Sequence, residues 1–356
     1  MDKKNLAIII GARPQFIKHA SLESVLKKYF NIFSIHTGQH YDEKMSSIFF
    51  EEMNINKPKY MLKSTFKLHG EMTGSMLADI EEILISEKPD GIIVYGDTNT
   101  TLAGALAASK LDIPIFHIES GLRSFNRKMP EEINRILTDH LSSLLFAPTS
   151  SAVINLKNEG ISVGVNLVGD IMYDSLLLAK KYIGEDIMQE NLVLLTIHRP
   201  YNTDNFDRLL SILKQLNKIN KKVVFPVHPR TKNILNINNF LFDDYENIEF
   251  IEPLSYFDLI QLQIRATCII TDSGGIQKEA YLLRRKCITI RSETEWIETL
   301  MNGWNTLIFE NLDSLNEIIQ TEPGAYITNI YGNGDASKQI SNCILNFFEN
   351  KNLTNV

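Results

Sequence analysis

Cysteine is scarce in this chain, with three in 356 residues, Cys268, Cys287 and Cys343. They are widely separated, show no metal-ligand spacing, and two lie in apolar strand-like runs. They therefore read as small core residues in a reducing cytosol, not as a disulfide framework or a zinc site. Long apolar runs are missing as well. The first, Leu6 to Ile10, is closed by Gly11-Ala12-Arg13-Pro14 and is too short for a signal peptide, and none approaches a membrane span. Positive charge is in deficit. A net charge of −7 argues against a general nucleic-acid binder, yet leaves room for local basic pockets around a phosphorylated small molecule. No G-x-G-x-x-G follows the first strand, so a tightly held dinucleotide has no support. Repeats and low-complexity tails are absent. What is present is an ordinary globular balance, 44% hydrophobic and 22% charged, at a length suited to two domains.

One stretch organises the rest: Ser273-Gly274-Gly275-Ile276-Gln277-Lys278-Glu279, between the β-branched run Cys268–Thr271 and a helical run from Ala280. A buried parallel strand, a small-residue turn and a helix N-terminus make a phosphate-binding geometry, because glycines admit a close ligand and the free N–H groups favour an anion. Glu279 cannot bind phosphate but can accept hydrogen bonds from ribose hydroxyls. The set fits a nucleoside diphosphate; it also fits a tight βα turn with a capping serine.

Strand and helix alternate along the whole chain, which predicts parallel, doubly wound sheets. The first series has strands at Leu6–Ile10, Ile32–Thr37, Gly91–Tyr95, Ile113–Ile118, Leu144–Pro148 and Val165–Asp170. Helices are expected from Pro14 to Tyr29, from His69, over Leu102–Lys110 and from Pro130. Gly38 to Asp42 reads as a ligand loop or as a capped helix start at Asp42. A second series has strands at Leu192–Ile197, Val223–Val227, Ile248–Ile251, Cys268–Thr271 and Cys287–Arg291. The expected fold is α/β of the GT-B class, two Rossmann-like domains with a central cleft. Residues 1–175 with a returning helix at 337–356 form one domain, and 176–336 the other.

In open α/β sheets, ligands bind at the carboxyl ends of strands. Those ends carry chemistry here. Arg13 and Lys18 follow the first strand, and Gly38-Gln39-His40 the second, as a ligand loop or a helix start. Asp97, Glu119 and Glu131 are carboxylates able to act as acid and base if their environments differ. Plainer roles also fit: Asp97 as a helix cap, and Glu131 paired with Arg135 four residues on. The second series offers His198, the Ser273–Gly275 turn and Arg291. Acids on one side and phosphate binders on the other suit a nucleotide sugar.

Gly11-Ala12-Arg13-Pro14 with Lys18, His36-Thr37-Gly38-Gln39-His40, Tyr95-Gly96-Asp97-Thr98, His117-Ile118-Glu119-Ser120-Gly121-Leu122-Arg123, Pro130-Glu131-Glu132-Ile133-Asn134-Arg135, Thr196-Ile197-His198-Arg199 and Thr271-Asp272-Ser273-Gly274-Gly275 through Glu279 stand in this order. Together they resemble the non-hydrolysing UDP-N-acetylglucosamine 2-epimerase family, from about residue 6 to about residue 345. The resemblance implies a cytoplasmic homodimer that acts on a UDP-sugar without redox cofactor or metal. UDP leaves C1 as the C2 proton is removed, and re-addition to the resulting 2-acetamidoglycal gives the epimer. By resemblance Asp97, Glu119 and Glu131 are the catalytic acids. Arg13, His198, Ser273, Gly274, Gly275, Glu279 and Arg291 hold UDP, with Lys18 and Arg135 near the sugar or phosphates. Gln39 and His40 match part of a regulatory UDP-N-acetylglucosamine site.

The chain departs from the family pattern at Ala12, at Pro200-Tyr201-Asn202 and at Thr294-Glu295-Trp296. These features look like the branch acting on UDP-2,3-diacetamido-2,3-dideoxy-glucuronate, which supplies surface polysaccharide such as O-antigen. The basic loop Arg123–Met129 offers Arg127 as a contact for the uronate carboxylate, or Arg127 and Lys128 simply offset Glu131 and Glu132. The alternatives in function are epimerisation of UDP-N-acetylglucosamine, a GT-B glycosyltransferase and a nucleotide-sugar sensor without catalysis.

Overall fold

The structure, a computed structural model, describes residues 3–39, 55–63, 68–184 and 187–354. The chain forms two compact units, residues 1–178 with 329–356, and residues 179–328. Asp42, with the alternative of a helix start there, and His40 lie outside the described residues.

In the first unit the strands are β1 (Asn5–Ile10), β2 (Asn31–His36), β3 (Tyr60–Met61), β4 (Gly91–Tyr95), β5 (Ile115–Ile118), β6 (Leu144–Ala147) and β7 (Val165–Leu167). Among the described residues they form one sheet, in the order β3-β2-β1-β4-β5-β6-β7, with every pairing parallel. Its helices are α1 (Arg13–Leu26), α2 (His69–Glu87), α3 (Asn99–Lys110), α4 (Pro130–Leu141), α5 (Ser150–Asn158) and α6 (Ile171–Ile183), which runs on across the unit boundary. Leu6 to Ile10 are wholly buried, as a strand covered on both faces must be. The helix α2 turns Met76, Ile80 and Leu84 at four-residue spacing into the same core as Ile9, Ile35, Ile92 and Val94.

The second unit has strands β8 (Leu192–Thr196), β9 (Lys222–Pro226), β10 (Ile248–Ile251), β11 (Cys268–Thr271), β12 (Lys286–Thr289) and β13 (Asn305–Leu307). Their order among the described residues is β10-β9-β8-β11-β12-β13, again parallel. The helices are α7 (Pro200–Thr203), α8 (Phe206–Leu216), α9 (Pro229–Ile237), α10 (Tyr256–Arg265), α11 (Gly274–Leu282) and α12 (Leu315–Gln320). One stripe of α8, Leu209, Ile212, Leu213 and Leu216, is completely buried against Val193, Leu195 and Phe225. Cys268 and Cys287 sit in this unit's cores, and burial pushes the Cys268 thiol up to about 12.

The last helix, α13 (Ala336–Thr354), belongs to the first unit. Asp174 caps it, accepting from the amides of Ala336 (3.1 Å) and Ser337 (2.9 Å). Phe347 and Phe348 meet Phe116 of β5 edge-on, with centroids 5.3 and 5.8 Å apart.

Several boundaries differ from the sequence reading. The second residue of the expected strand from Ile113 is Pro114, which has no N–H to give a ladder, so β5 begins at Ile115. The strand expected to reach Asp170 ends at Leu167, just before Gly169 takes a left-handed φ of +83°. The helix α3 starts at Asn99, three residues early, because Thr98 caps it. Strands β3 and β13, of two and three residues, carry no periodic signal to read.

In each sheet the strand order reverses once. The reversal lies between β1 and β4 in the first unit and between β8 and β11 in the second. The crevice outside the carboxyl ends at such a point is where open α/β sheets bind ligands.

Candidate active site

In the first unit the two strand ends at the reversal are Gly11, after β1, and Gly96, after β4. A buried glutamine stitches them together. Gln15 Oε1 accepts from the amides of Gly11 (2.8 Å) and Ala12 (3.1 Å), while Nε2 donates to the Tyr95 carbonyl (2.9 Å) and the hydroxyls of Thr98 (3.0 Å) and Thr101 (3.1 Å). A back-bonding Gln in the first turn is a common way to satisfy amides that a helix start leaves open. Gly11 must be glycine: a Cβ would lie 2.0 Å from Thr37 Oγ1.

Arg13 opens α1 at the carboxyl end of β1. Lys18, one turn on, is buried and ion-paired to Glu119, and both lie over Gly96. Glu119 itself has φ +69°, a left-handed conformation that a non-glycine residue holds only when its surroundings impose it. Asp97 does not cap α3; its neighbour Thr98 does, leaving the Asp97 carboxylate about one-third exposed and ion-paired to Arg135. Arg135 is buried and also bonds Glu132 at 2.8 Å. Glu131 stands half-buried in the first turn of α4. Asp97 and Glu119 thus follow two hydrogen-bonded strands, β4 and β5, each carboxylate facing a cation.

Glu132 is not offset by the basic loop. Its carboxylate is 1% exposed and accepts from the Ser124 amide (2.9 Å), the Ser124 hydroxyl (3.0 Å) and the Phe125 amide (2.8 Å), beside Arg135. Arg127 is exposed on that loop. Gln39 Oε1 accepts from the amide (2.9 Å) and hydroxyl (2.8 Å) of Thr100, so this oxygen braces the start of α3.

In the second unit the ends at the reversal are His198, after β8, and Ser273, after β11. Their strands end in register at Thr196 and Thr271, whose hydroxyls are 2.7 Å apart. Asp272, fully buried, joins them. It accepts from the amides of His198 (3.1 Å) and Arg199 (3.0 Å) and from Asn202 Nδ2 (3.2 Å). His198 Nδ1 lies 3.5 Å from the same carboxylate. Ser273 makes no side-chain capping bond to α11. Glu279 is 3% exposed, not a solvated acid, and Gln263 Nε2 donates to it at 2.7 Å.

The two glycines of this turn differ. A Cβ on Gly274 would come within 2.6 Å of Glu295 Oε1, whereas one on Gly275 would meet nothing within 4 Å. Arg291 is buried with Nη2 3.1 Å from Glu295, and its Nη1 has no hydrogen-bond partner among the described residues. Burial opposes the guanidinium charge, but the charge of Glu295 and its neighbours outweighs it and holds the pKa above the ordinary value.

Sequence reasoning missed Gln15, Glu132, Asp272 and Glu295. Asp272 and Glu132 stood inside quoted motifs beside the chosen residues, but nothing in the sequence says that a carboxylate will receive backbone amides. Among the described residues no helix is long and apolar enough to cross a membrane.

Two parallel-sheet α/β units of this kind place the chain in the GT-B fold class. A family model described as UDP-N-acetylglucosamine 2-epimerase matches residues 24–345. The chain is 48% identical to a UDP-N-acetylglucosamine 2-epimerase homolog of Methanococcus maripaludis, covering 96% of this chain and 99% of that protein. It is 45% identical to the UDP-2,3-diacetamido-2,3-dideoxy-D-glucuronate 2-epimerase of Pseudomonas aeruginosa, covering 94% and 97%. The crystal structure of Methanocaldococcus jannaschii UDP-GlcNAc 2-epimerase in complex with UDP-GlcNAc and UDP superposes with a TM-score of 0.88, at 42% identity, covering 96% of this chain and 99% of that one. The chain belongs to the UDP-N-acetylglucosamine 2-epimerase family and is a UDP-sugar 2-epimerase.

Proposed function

We propose that this enzyme inverts C2 of a UDP-2-acetamido sugar by eliminating and re-adding UDP, with UDP-2,3-diacetamido-2,3-dideoxy-glucuronate as its substrate. The observation that carries the mechanism is the pair of carboxylates at adjacent strand ends, Asp97 and Glu119, each beside its own cation. In the forward step the C1–O bond breaks and its electron pair leaves with UDP. A carboxylate takes the C2 proton, and the C2–H electrons become the C1=C2 bond of a 2-acetamidoglycal. UDP then returns to C1 while a second carboxylic acid protonates the opposite face of C2. Asp97, Glu119 and Glu131 are the groups for these transfers. Lys18 and Arg135 supply positive charge beside them.

UDP is assigned to the second unit. Gly275 supports this: the protein itself leaves space for a side chain there, so a glycine answers to the close approach of a ligand backbone. The buried, unpartnered Nη1 of Arg291 is a donor suited to a diphosphate oxygen. Glu279 takes the ribose hydroxyls.

The uronate assignment draws on the diacetamido-glucuronate relative and on exposed Arg127, which is free to meet a carboxylate at C5. Epimerisation of UDP-N-acetylglucosamine is the second reading, since other relatives of similar identity bear that name. The family resemblance adds a cytoplasmic homodimer serving surface-polysaccharide synthesis, with Gln39 and His40 as a candidate regulatory pair; light scattering tests the dimer. The deciding experiment incubates a panel of UDP-sugars in deuterated water without an acceptor. Deuterium at C2 and fastest turnover of the diacetamido-uronate are expected. Faster turnover of UDP-N-acetylglucosamine moves the substrate, and no exchange with any sugar removes the epimerase mechanism.

A further inference from the structure

His117 lies in β5, opposite Val94 of β4, and is completely buried. Both ring nitrogens are engaged. Nε2 is 2.8 Å from the carbonyl oxygen of Gly96, and Nδ1 is 2.7 Å from Asp139 Oδ1 on α4. A carbonyl oxygen only accepts, so Nε2 carries a hydrogen and donates it. At 2.7 Å the other nitrogen and the carboxylate must hold a proton between them. Burial pushes the Asp139 carboxyl up, but the hydrogen bond and charge of His117 and the charge of Arg123 outweigh it and hold the carboxyl below its ordinary value. The second oxygen of Asp139 accepts from the Gly121 amide at 3.1 Å and lies 2.8 Å from Arg123 Nη1. Arg123 in turn makes a two-bond pair with Glu159, 2.7 Å at each contact.

The two backbone groups held this way belong to the two turns that carry the paired carboxylates. Gly96 precedes Asp97, and Gly121 follows Glu119 by two residues. All of Gly96, Glu119 and Gly121 have left-handed φ, +63°, +69° and +79°. Of the three only Glu119 is strained in that region, and one carboxylate, through His117 and directly, holds the turns on either side of it. A buried cluster of histidine, carboxylate and guanidinium is a poor device for stability alone, because apolar residues of the same volume do as well or better.

We propose that His117, with Asp139 behind it, is a positioning residue of the reaction, fixing the turn of Asp97 against the turn of Glu119. This rests on the reading that Asp97 and Glu119 move the C2 proton. Asp139 acts on one turn through His117 and on the other directly.

Two substitutions separate positioning from packing. In His117→Gln the amide nitrogen overlays Nε2 and still donates to Gly96. In His117→Asn it overlays Nδ1 and reaches only Asp139. Asn, one methylene shorter, leaves the larger gap and should lower Tm further, so kcat is read beside Tm in each variant. The expected kinetic result is a split: His117→Asn lowers kcat for C2 deuterium exchange by roughly 10- to 100-fold, the scale of a small misplacement of reacting groups. His117→Gln, which keeps the bond to Gly96 but gives up the one to Asp139, falls between wild type and His117→Asn in kcat, and the UDP Kd stays at the wild-type value in both. Equal loss of kcat in the two variants, or loss merely in step with Tm, overturns the proposal. A test independent of folding of the variants is the imidazole ¹⁵N spectrum of wild-type protein at neutral pH. A hydrogen on Nε2 of His117, donated to the Gly96 carbonyl, is expected, and an unprotonated Nε2 overturns the tie to that turn. A wild-type enzyme that exchanges no deuterium would defeat the functional reading instead, and the ¹⁵N result would still decide whether the tie exists.

Discussion

The two units solve the same geometric problem with opposite electrostatics. Each has a parallel sheet whose strand order reverses once, and each must bridge the two strand ends at that point. The first unit bridges them with the neutral amide of Gln15 and sets charges in opposed pairs around the gap, Lys18 with Glu119 and Arg135 with Asp97. The second bridges them with the charge of Asp272, consumed by backbone amides, and leaves Arg291 with one nitrogen unspent. On the proposed mechanism the compensated carboxylates are the groups for proton transfer, and the donors left over beside glycines are the seat for the diphosphate. The contrast teaches that a doubly wound sheet fixes where a site lies, and the charge balance at the strand ends fixes what it does there.

The strongest way to break the comparison is to neutralise the first unit's acids. Asp97→Asn, Glu119→Gln and Glu131→Gln should each lower turnover by at least about two orders of magnitude, the usual scale for an acid–base group. UDP affinity, measured by calorimetry, should hardly change, and wild-type turnover in any one variant would take that residue out of the chemistry. In the second unit the pattern should invert. Glu279→Ala should weaken UDP binding by about 1.5–3 kcal/mol, as for loss of a charged hydrogen-bond partner. The chemical step, read by single-turnover kinetics, should move less than the affinity.

Gly275→Ala sharpens the division further. Because its added methyl meets no protein atom within 4 Å, Tm should shift by less than about 0.5 kcal/mol equivalent. UDP affinity should fall by about 1–3 kcal/mol if the methyl intrudes on the diphosphate. Unchanged affinity would mean that the ligand stays clear of this turn. The smallest effect is expected from Arg127→Ala. An exposed ion pair is worth up to about 1 kcal/mol, so the preference for the diacetamido-uronate over UDP-N-acetylglucosamine should narrow by about fivefold at most. A preserved preference would place the recognition of the uronate on another residue.

Much of this architecture was legible in the sequence. Continuous β-branched runs such as Leu6–Ile10 and Cys268–Thr271 can only be strands covered on both faces, and both are fully buried. Gly-rich and charged residues at the ends of those runs pointed to the site region. The sequence did not reveal how the charges pair. Arg135, at helical salt-bridge spacing from Glu131, pairs with Glu132 on its own helix and with Asp97 on another element. Asp97 looked like a helix cap, and Thr98 took that role. Such choices depend on side-chain directions across elements, which spacing along one element cannot supply. The same holds for His117, whose place in an apolar strand hid its polar contacts.

The return of α13 to the first unit has a consequence for how the protein is made. Phe347 and Phe348 complete the packing on Phe116, and Asp174 waits for the amides of Ala336 and Ser337. During synthesis these partners emerge last, after the whole of the second unit. The unit encoded first is therefore finished last, and the second unit, a continuous insertion from 179 to 328, has all its residues in hand while its neighbour is still waiting. A released chain ending near residue 330 should show a protease-resistant second unit and a protease-sensitive first one. Loss of the final helix should thus fall on the proton-transfer machinery far away in the sequence and leave the nucleotide seat formed.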